Sequence, residues 1–266
     1  MEKQAVEYME EAAYKKATLL RHAFGHYALR SIVAGFLIGI GVVFAFSVGN
    51  MFIDVPGTML FAGMSFSVAL VFIVWMGGEL FTSNTMYLYT GAKRGRVDWR
   101  DLTAVWGISW LGNLVGALIL VGLVIGAHSM GDVDTDHLLS VVAAKKMGGE
   151  ALAIFLKGIL CNILVCIAIF MPLKTKNDVA KIMLTMLPVV VFFAAGFEHS
   201  IANMGIFGLA LYYVPSEAIN IGLALHNLVF ATLGNIVGGA LFVAGTYVHL
   251  NAKPAEGNIE SIRQNA

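Results

Sequence analysis

At 266 residues, 58% of them hydrophobic and only 13% charged, the chain is far too apolar for a soluble domain of its size. The mean hydropathy of +0.79 fits a polytopic membrane protein. Basic and acidic residues number 17 each, so there is no net charge to suggest nucleic acid as a partner.

The first 27 residues are polar and charged with no early apolar core, which predicts no cleavable signal peptide. Within them, Val6, Met9, Ala13, Ala17 and Leu20 recur at helical spacing. That pattern predicts an amphipathic helix over 5–20, lying at the membrane surface, packed on a neighbouring subunit, or simply solvated.

Six apolar spans follow. The first, near 28–50, carries Gly35, Gly39 and Gly41, a small-residue face for close helix packing. The second runs from about Gly57 to Met76, is interrupted over Gly77–Thr85, and resumes through Met86–Tyr89. A basic loop with Lys93, Arg94, Arg96 and Arg100 leads to the third span, near 102–127. Next comes an acidic loop with Asp132, Asp134 and Asp136, then Lys145 and Lys146. The fourth span, near 150–172, contains Cys161 and Cys166, read as free buried thiols. A second basic loop, with Lys174, Lys176 and Lys181, precedes the fifth span, 182–213. The sixth covers 219–249 and is followed by a polar tail. Basic loops after spans two and four, against an acidic one after span three, predict cytoplasmic termini by the positive-inside rule. The expected organisation is an N-terminal cytoplasmic helix (1–27), a six-span unit (28–249) and a cytoplasmic tail (250–266).

Two patterns repeat. Leu111-Gly112-Asn113-Leu114-Val115-Gly116 in span three matches Leu233-Gly234-Asn235-Ile236-Val237-Gly238 in span six. Spans two and five are both long, and a glycine-led polar stretch breaks each in the middle. Three spans repeated once enter the membrane from opposite sides, which predicts an inverted repeat over about 28–130 and 131–249. In such an arrangement broken helices meet near the midplane, and exposed backbone is tolerated only along a protein-enclosed path. Half-helices starting after Glu79 and Glu198 would aim N–H groups inward and favour an anionic solute. Simple structural kinks are the competing reading.

The break in span five holds the candidate chemistry: Gly196-Phe197-Glu198-His199-Ser200-Ile201-Ala202-Asn203-Met204. A carboxylate beside an imidazole is expensive in hydrocarbon and normally faces a cavity, a partner or a solute; a pair that only ties helices together is the bland alternative. His199 is the side chain able to exchange a proton near neutral pH. It can donate a hydrogen bond to an anion, or hand over a proton and so remove the cost of moving a bare ion through an apolar constriction. Whether Glu198 points at it is open. Thr82 offers a hydroxyl from the other broken helix, and Lys146 would concentrate anions at the outer mouth. Lys157, inside span four, calls for a partner, with Glu79 or Glu198 as candidates. The remaining histidines sit near ends or loops, apart from His226 in span six, where packing is expected. No nucleotide-binding, hydrolase or metal-ligand motif is present, so no cofactor, no metal and no enzymatic role are expected.

These residues carry a family resemblance. The Gly196–Met204 string, Glu79-Leu80-Phe81-Thr82-Ser83 and the two Leu-Gly-Asn runs together resemble the formate/nitrite transporter family, over about residues 20–250. The resemblance implies an all-α, aquaporin-like fold, a homopentamer with one pore per protomer, and monovalent anion substrates such as formate, nitrite and hydrosulfide, with protons possible co-travellers. It matches His199 to a central pore histidine, Thr82 to the threonine of the broken second helix, Asn162 to an asparagine neighbouring the histidine, and Lys146 to an outer lysine. It matches Phe66, Leu70, Leu80, Phe81 and Phe192 to apolar constrictions above and below a central chamber. Glu79 with Asn84, Thr85 and Met86 looks more like the nitrite and hydrosulfide branches, and Lys157 more like the nitrite branch. A water- or glycerol-type facilitator of neutral solutes is the alternative; it fits the repeat, but the breaks hold no Asn-Pro-Ala pair.

Overall fold

The computed structural model describes residues 2–252, and these are mostly helical, with no strand among them. Helix α1 is Glu2–His22, α2 Phe24–Asn50, α3 Thr58–Phe66 and α4 Val68–Trp75. The chain continues with α5 (Phe81–Lys93), α6 (Trp99–Gly126), α7 (Leu138–Met147) and α8 (Ala151–Phe170). It closes with α9 (Asp178–Ala194), α10 (Ser200–Tyr213), α11 (Ile221–Ile236), a π-wound stretch Val237–Gly245, and α12 (Thr246–Leu250). Five stretches are long and apolar enough to cross a bilayer: Phe24–Asn50, Thr58–Trp75, Trp99–Gly126, Ala151–Lys174 and Ile221–Leu250. The fifth expected span, 182–213, is present in two pieces, α9 and α10, joined by an irregular segment.

Both breaks fall where expected, but the first is shorter than the sequence suggests. Only residues 76–80 are non-helical; the polar run Thr82-Ser83-Asn84-Thr85 is the buried first turn of α5. Glycine supplies the sharp turn each time, Gly77 at φ 67° and Gly196 at φ 69°, conformations strained for residues with a Cβ.

The helices pack closely because small residues let backbones touch. A Cβ on Gly116 would overlap the Ile32 carbonyl, and one on Gly238 would overlap that of Ile159. These are the α2–α6 seam and the seam of α8 with the π-wound stretch that continues α11, and they explain the glycines of the repeated Leu-Gly-Asn runs.

Two expectations need correction. Helix α1 does not stand solvated. Its stripe Val6, Met9, Ala13 and Ala17 is buried against α5 of the same chain, and Arg94 and Arg96 bond Glu10 and Glu11. An arginine-rich turn after α5 facing acidic residues of α1 holds the stripe inward. Second, the loop after span three contains a helix, α7, whose face Leu138, Leu139, Ala143 and Met147 joins the main core; ten residues are too few to show in a window tuned to spanning segments. The tail expected over 250–266 lies outside the described residues from 253 onward.

His137 caps α7: its Nδ1 accepts the Leu139 N–H at 3.1 Å, and its own N–H donates to Asp134 Oδ1 at 2.9 Å. Burial holds its imidazole below the ordinary histidine range, with Asp134 opposing. A depressed folded-state value contributes stability above the unfolded value and loses it as pH falls through the folded one. Protonation also removes the cap acceptor, worth about 1 kcal/mol. Protection of the first-turn amides of α7, taken relative to the intrinsic exchange rate at each pH, is therefore expected to fall on acidification, and His137→Asn, which caps without titrating, should flatten that response. Protection factors in α7 that are indifferent to pH would exclude His137 as the cause.

Candidate functional site

The two breaks are tied down by the same chemistry at matching positions. Asn113 of α6 accepts the Phe81 N–H at 2.9 Å and donates to the carbonyls of Ser31 (2.7 Å) and Glu79 (2.9 Å). Asn235 of α11 accepts the Ser200 N–H at 2.9 Å and donates to the carbonyls of Gly158 (2.9 Å) and Glu198 (2.8 Å). Each amide thus pairs an orphan N–H at a half-helix start and two carbonyls, groups that hydrocarbon leaves unsatisfied. The repeated Leu-Gly-Asn run was the sequence signal; its role as a knot across the break was not legible there.

The carboxylates follow the same plan. Glu79 accepts from Lys16 Nζ at 2.6 Å and from Asn84 Nδ2, five residues on, at 3.1 Å. Glu198 accepts from Lys146 Nζ at 2.9 Å and from Asn203, again five residues on, at 2.7 Å, with Asn227 at 3.3 Å. Lys146 also donates to the Phe197 carbonyl at 3.0 Å. Glu198 therefore turns away from its neighbour His199, and Lys146 is a mostly buried ion-pair partner rather than a free cation at a mouth (side chain 12% exposed). The expected pairing of Lys157 with Glu79 or Glu198 does not form; α1 and α7 bring Lys16 and Lys146 to those carboxylates instead. Lys16 and Asn227 were not singled out in the sequence, since their partners lie tens of residues away.

His199 sits at the N-cap of α10. Its Nδ1 accepts the Ala202 N–H at 3.0 Å, and its Nε2 lies 3.1 Å from Thr82 Oγ1. A ring nitrogen that accepts a backbone N–H carries no proton, so the neutral ring carries its proton on Nε2. That N–H donates to the Thr82 hydroxyl, leaving the hydroxyl proton free for another acceptor. Phe192 stacks over the imidazole, centroids 5.6 Å apart and planes 13° from parallel. Asn162 does not bond the histidine; its amide holds the Thr82 carbonyl (3.1 Å) and Thr85 Oγ1 (2.9 Å), so it positions Thr82 from behind.

Two cavities approach this centre from opposite ends of α9. The larger, about 720 Å³, reaches Lys181 and Thr185 near the α9 start and is walled by Lys16, Arg30, Leu70 and Glu79. The smaller, about 170 Å³, reaches Phe192–Ala194 near the α9 end and is walled by Lys146, Lys157, Glu198 and His199. Phe66 packs on Phe192 and Phe193 of the small cavity's wall and lies four residues before Leu70 of the large one. Phe66, Leu80 and Phe81 are buried and line neither cavity. Leu80 stands one residue past Glu79, as His199 stands one residue past Glu198.

Bilayer-length helices enclosing two cavities, with an imidazole and a hydroxyl meeting where two broken helices converge, define a multi-pass membrane transport protein. Residues 3–249 match the family model described as formate/nitrite transporter, and the chain belongs to that family. It is 39% identical over 224 residues to the nitrite transporter NirC of Escherichia coli, covering 84% of this chain and 82% of that one. Among solved structures, an FNT family ion channel superposes with a TM-score of 0.90 at 33% identity, covering 94% of this chain and all of the other. A pentameric formate channel with formate bound gives a TM-score of 0.74 at 32% identity, covering 92% and 99%.

Proposed function

We propose that this protein is a pore for small monovalent anions of weak acids, nitrite, hydrosulfide and formate, with His199 at its centre. The observation that carries the reading is the Nε2–Thr82 contact at 3.1 Å, formed at the inner end of a cavity by groups from two half-helices. Both half-helices present positive N-terminal ends there. A neutral imidazole offering one N–H, backed by a hydroxyl, suits an anion that has shed most of its water. Proton exchange through the same ring would let the solute cross as its neutral acid. Thr82, Asn162, Lys146 and Glu198 shape the path. Phe66, Leu70, Leu80, Phe81 and Phe192 form its apolar gates, which exclude bare ions and hydrated cations.

In this reading six spans form a three-plus-three inverted repeat of aquaporin-like plan, over about 28–130 and 131–249. The matched asparagine knots and carboxylate networks support it. The basic loops put both termini in the cytoplasm, and the pentameric relative supports a homopentamer with one pore per protomer.

The deciding experiment measures nitrite, formate and hydrosulfide flux side by side in proteoliposomes at two pH values. Wild type is expected to pass all three. His199→Ala should lower nitrite flux at least about tenfold, since a hydrogen bond to a charged group is worth about 1.5–3 kcal/mol, and should flatten the pH dependence. Unchanged flux and pH dependence in the variant would remove His199 from the path. A wild type that moves glycerol but not nitrite would point to a neutral-solute facilitator.

A further inference from the structure

The two asparagine knots match except at one point, and that point lies behind Thr82. Asn113 donates to the Ser31 carbonyl of α2, and Asn235 to the Gly158 carbonyl of α8. Four residues on, α2 carries Gly35 and α8 carries Asn162. Gly35 packs directly on the Asn113 carbonyl, whereas the Asn162 side chain donates to the Asn235 carbonyl at 2.5 Å. The facing run changes in the opposite sense. Asn113-Leu114-Val115-Gly116-Ala117 in α6 is matched by Asn235-Ile236-Val237-Gly238-Gly239, so a glycine stands opposite the asparagine and an alanine opposite the glycine. Helix α6 stays regular through its run, while Val237–Gly245 is π-wound. A side chain that inserts into the helical ladder is one cause of such a change of winding, and π-wound turns inside α-helices gather at functional sites.

Gly239 touches the back of the Thr82 site. A Cβ there would overlap Thr85 Oγ1 and stand 2.6 Å from Asn162 Nδ2 and 3.2 Å from Cys166 Sγ. Thr85 and Asn162 are the two side chains that hold the Thr82 carbonyl, the hydroxyl at 2.6 Å and the amide at 3.1 Å. They also bond each other at 2.9 Å. The Oδ1 of Asn162 is buried with no donor among the described residues, so its nitrogen alone fixes the amide. Thr82, Thr85 and Asn162 are fully buried, and an extra carbon in such packing pushes side chains off their rotamers or shifts backbone. The first half of the chain carries the buried methyl of Ala117 at the matching place, where Gly35 stands in for Asn162.

We infer that Gly239 is a positioning residue of the pore: on its π-wound turn it sets the Thr82–His199 spacing through Thr85 and Asn162, and with it which anion the pair accepts. This role rests on the transport reading above. Gly239 lines neither cavity and meets no solute, so its influence passes entirely through the two side chains that hold Thr82. Thr82 in turn meets His199 at 3.1 Å, and a small shift of its carbonyl lengthens that contact.

The test is nitrite and formate flux per folded protein in proteoliposomes at two pH values, with thermal unfolding of the same samples. Gly239→Ala should lower nitrite flux about tenfold, the worth of one hydrogen bond to a charged group. It should also flatten the pH dependence and change the nitrite-to-formate ratio. Gly245→Ala makes the same change in backbone freedom on the same π-wound stretch, where the nearest atom to its Cβ is the Ala240 oxygen at 3.4 Å; it should match wild type throughout. Thr85→Val removes the hydroxyl that holds the Thr82 carbonyl and adds no bulk at 239, so it should reproduce the Gly239→Ala profile. It carries the test if Gly239→Ala does not insert, and Thr85→Ser, which keeps the hydroxyl, should behave as wild type. Flux that falls only in proportion to the folded protein, with wild-type pH dependence and anion ratio, reduces Gly239 to a packing residue and overturns the inference. Unchanged flux in Gly239→Ala or in Thr85→Val does the same and leaves the pore reading standing. A wild type that passes neither anion overturns the pore reading itself.

Discussion

Lys146→Met is expected to destabilise the protein by about 3 kcal/mol, because removing one member of a buried ion pair strands the other. The stranded group is Glu198, whose side chain is 3% exposed beside a lysine 12% exposed. Asn203 and Asn227 remain as donors to the carboxylate, so the loss falls at the lower end of the usual range for a broken buried pair. The double variant Lys146→Met with Glu198→Gln should recover most of it, since a neutral amide beside a thioether leaves no unpaired charge. Thermal unfolding in detergent micelles, followed by size-exclusion chromatography of the surviving protein, reads the difference. A single variant that melts within a degree or two of wild type would mean that the pair contributes nothing to the fold, and the assignment of Lys146 as structural would fall with it.

The second large effect concerns the asparagine knots. Asn235→Ala leaves the Ser200 N–H and the carbonyls of Gly158 and Glu198 without their amide partner. A buried polar group left unpaired costs about 1–3 kcal/mol, so a loss of at least about 3 kcal/mol is expected. Asn113→Ala removes the equivalent bonds to Phe81, Ser31 and Glu79 and should cost a similar amount. The functional consequences should differ. Asn235 fixes the start of α10, where His199 caps the helix, so any Asn235→Ala protein that folds should lose anion flux more than thermal stability alone explains. Asn113 fixes the start of α5 at Phe81, one residue before Thr82, and its loss should disturb the same contact from its other side. Equal stability of both variants to wild type would show that water or neighbouring groups replace the amides.

Much of this architecture was readable along the chain. Hydropathy located the spans because a bilayer imposes a length and an apolar composition on each helix separately. Gly77 and Gly196 marked the breaks because a positive φ is a local demand on one residue. The amphipathic stripe of α1 predicted a helix with one buried face, yet not what would cover it. The pairing of cations with carboxylates was misread at Lys157, because sequence offers proximity along a span and not the partner on a neighbouring helix. Helix α7 went unseen because its burial depends on the core it enters rather than on its own hydropathy.

The sequence by itself determined that this is a membrane protein of broken and unbroken apolar helices, with a glutamate, a histidine and a repeated Leu-Gly-Asn run at its centre, and it carried the family in those strings. These properties depend on local composition and backbone geometry. Tertiary structure decided which lysine neutralises which glutamate, that two asparagines close the breaks, and that His199 meets Thr82 through Nε2. Those contacts join residues between 32 and 117 positions apart or turn on which ring nitrogen the helix start occupies, and only the packed helices fix them.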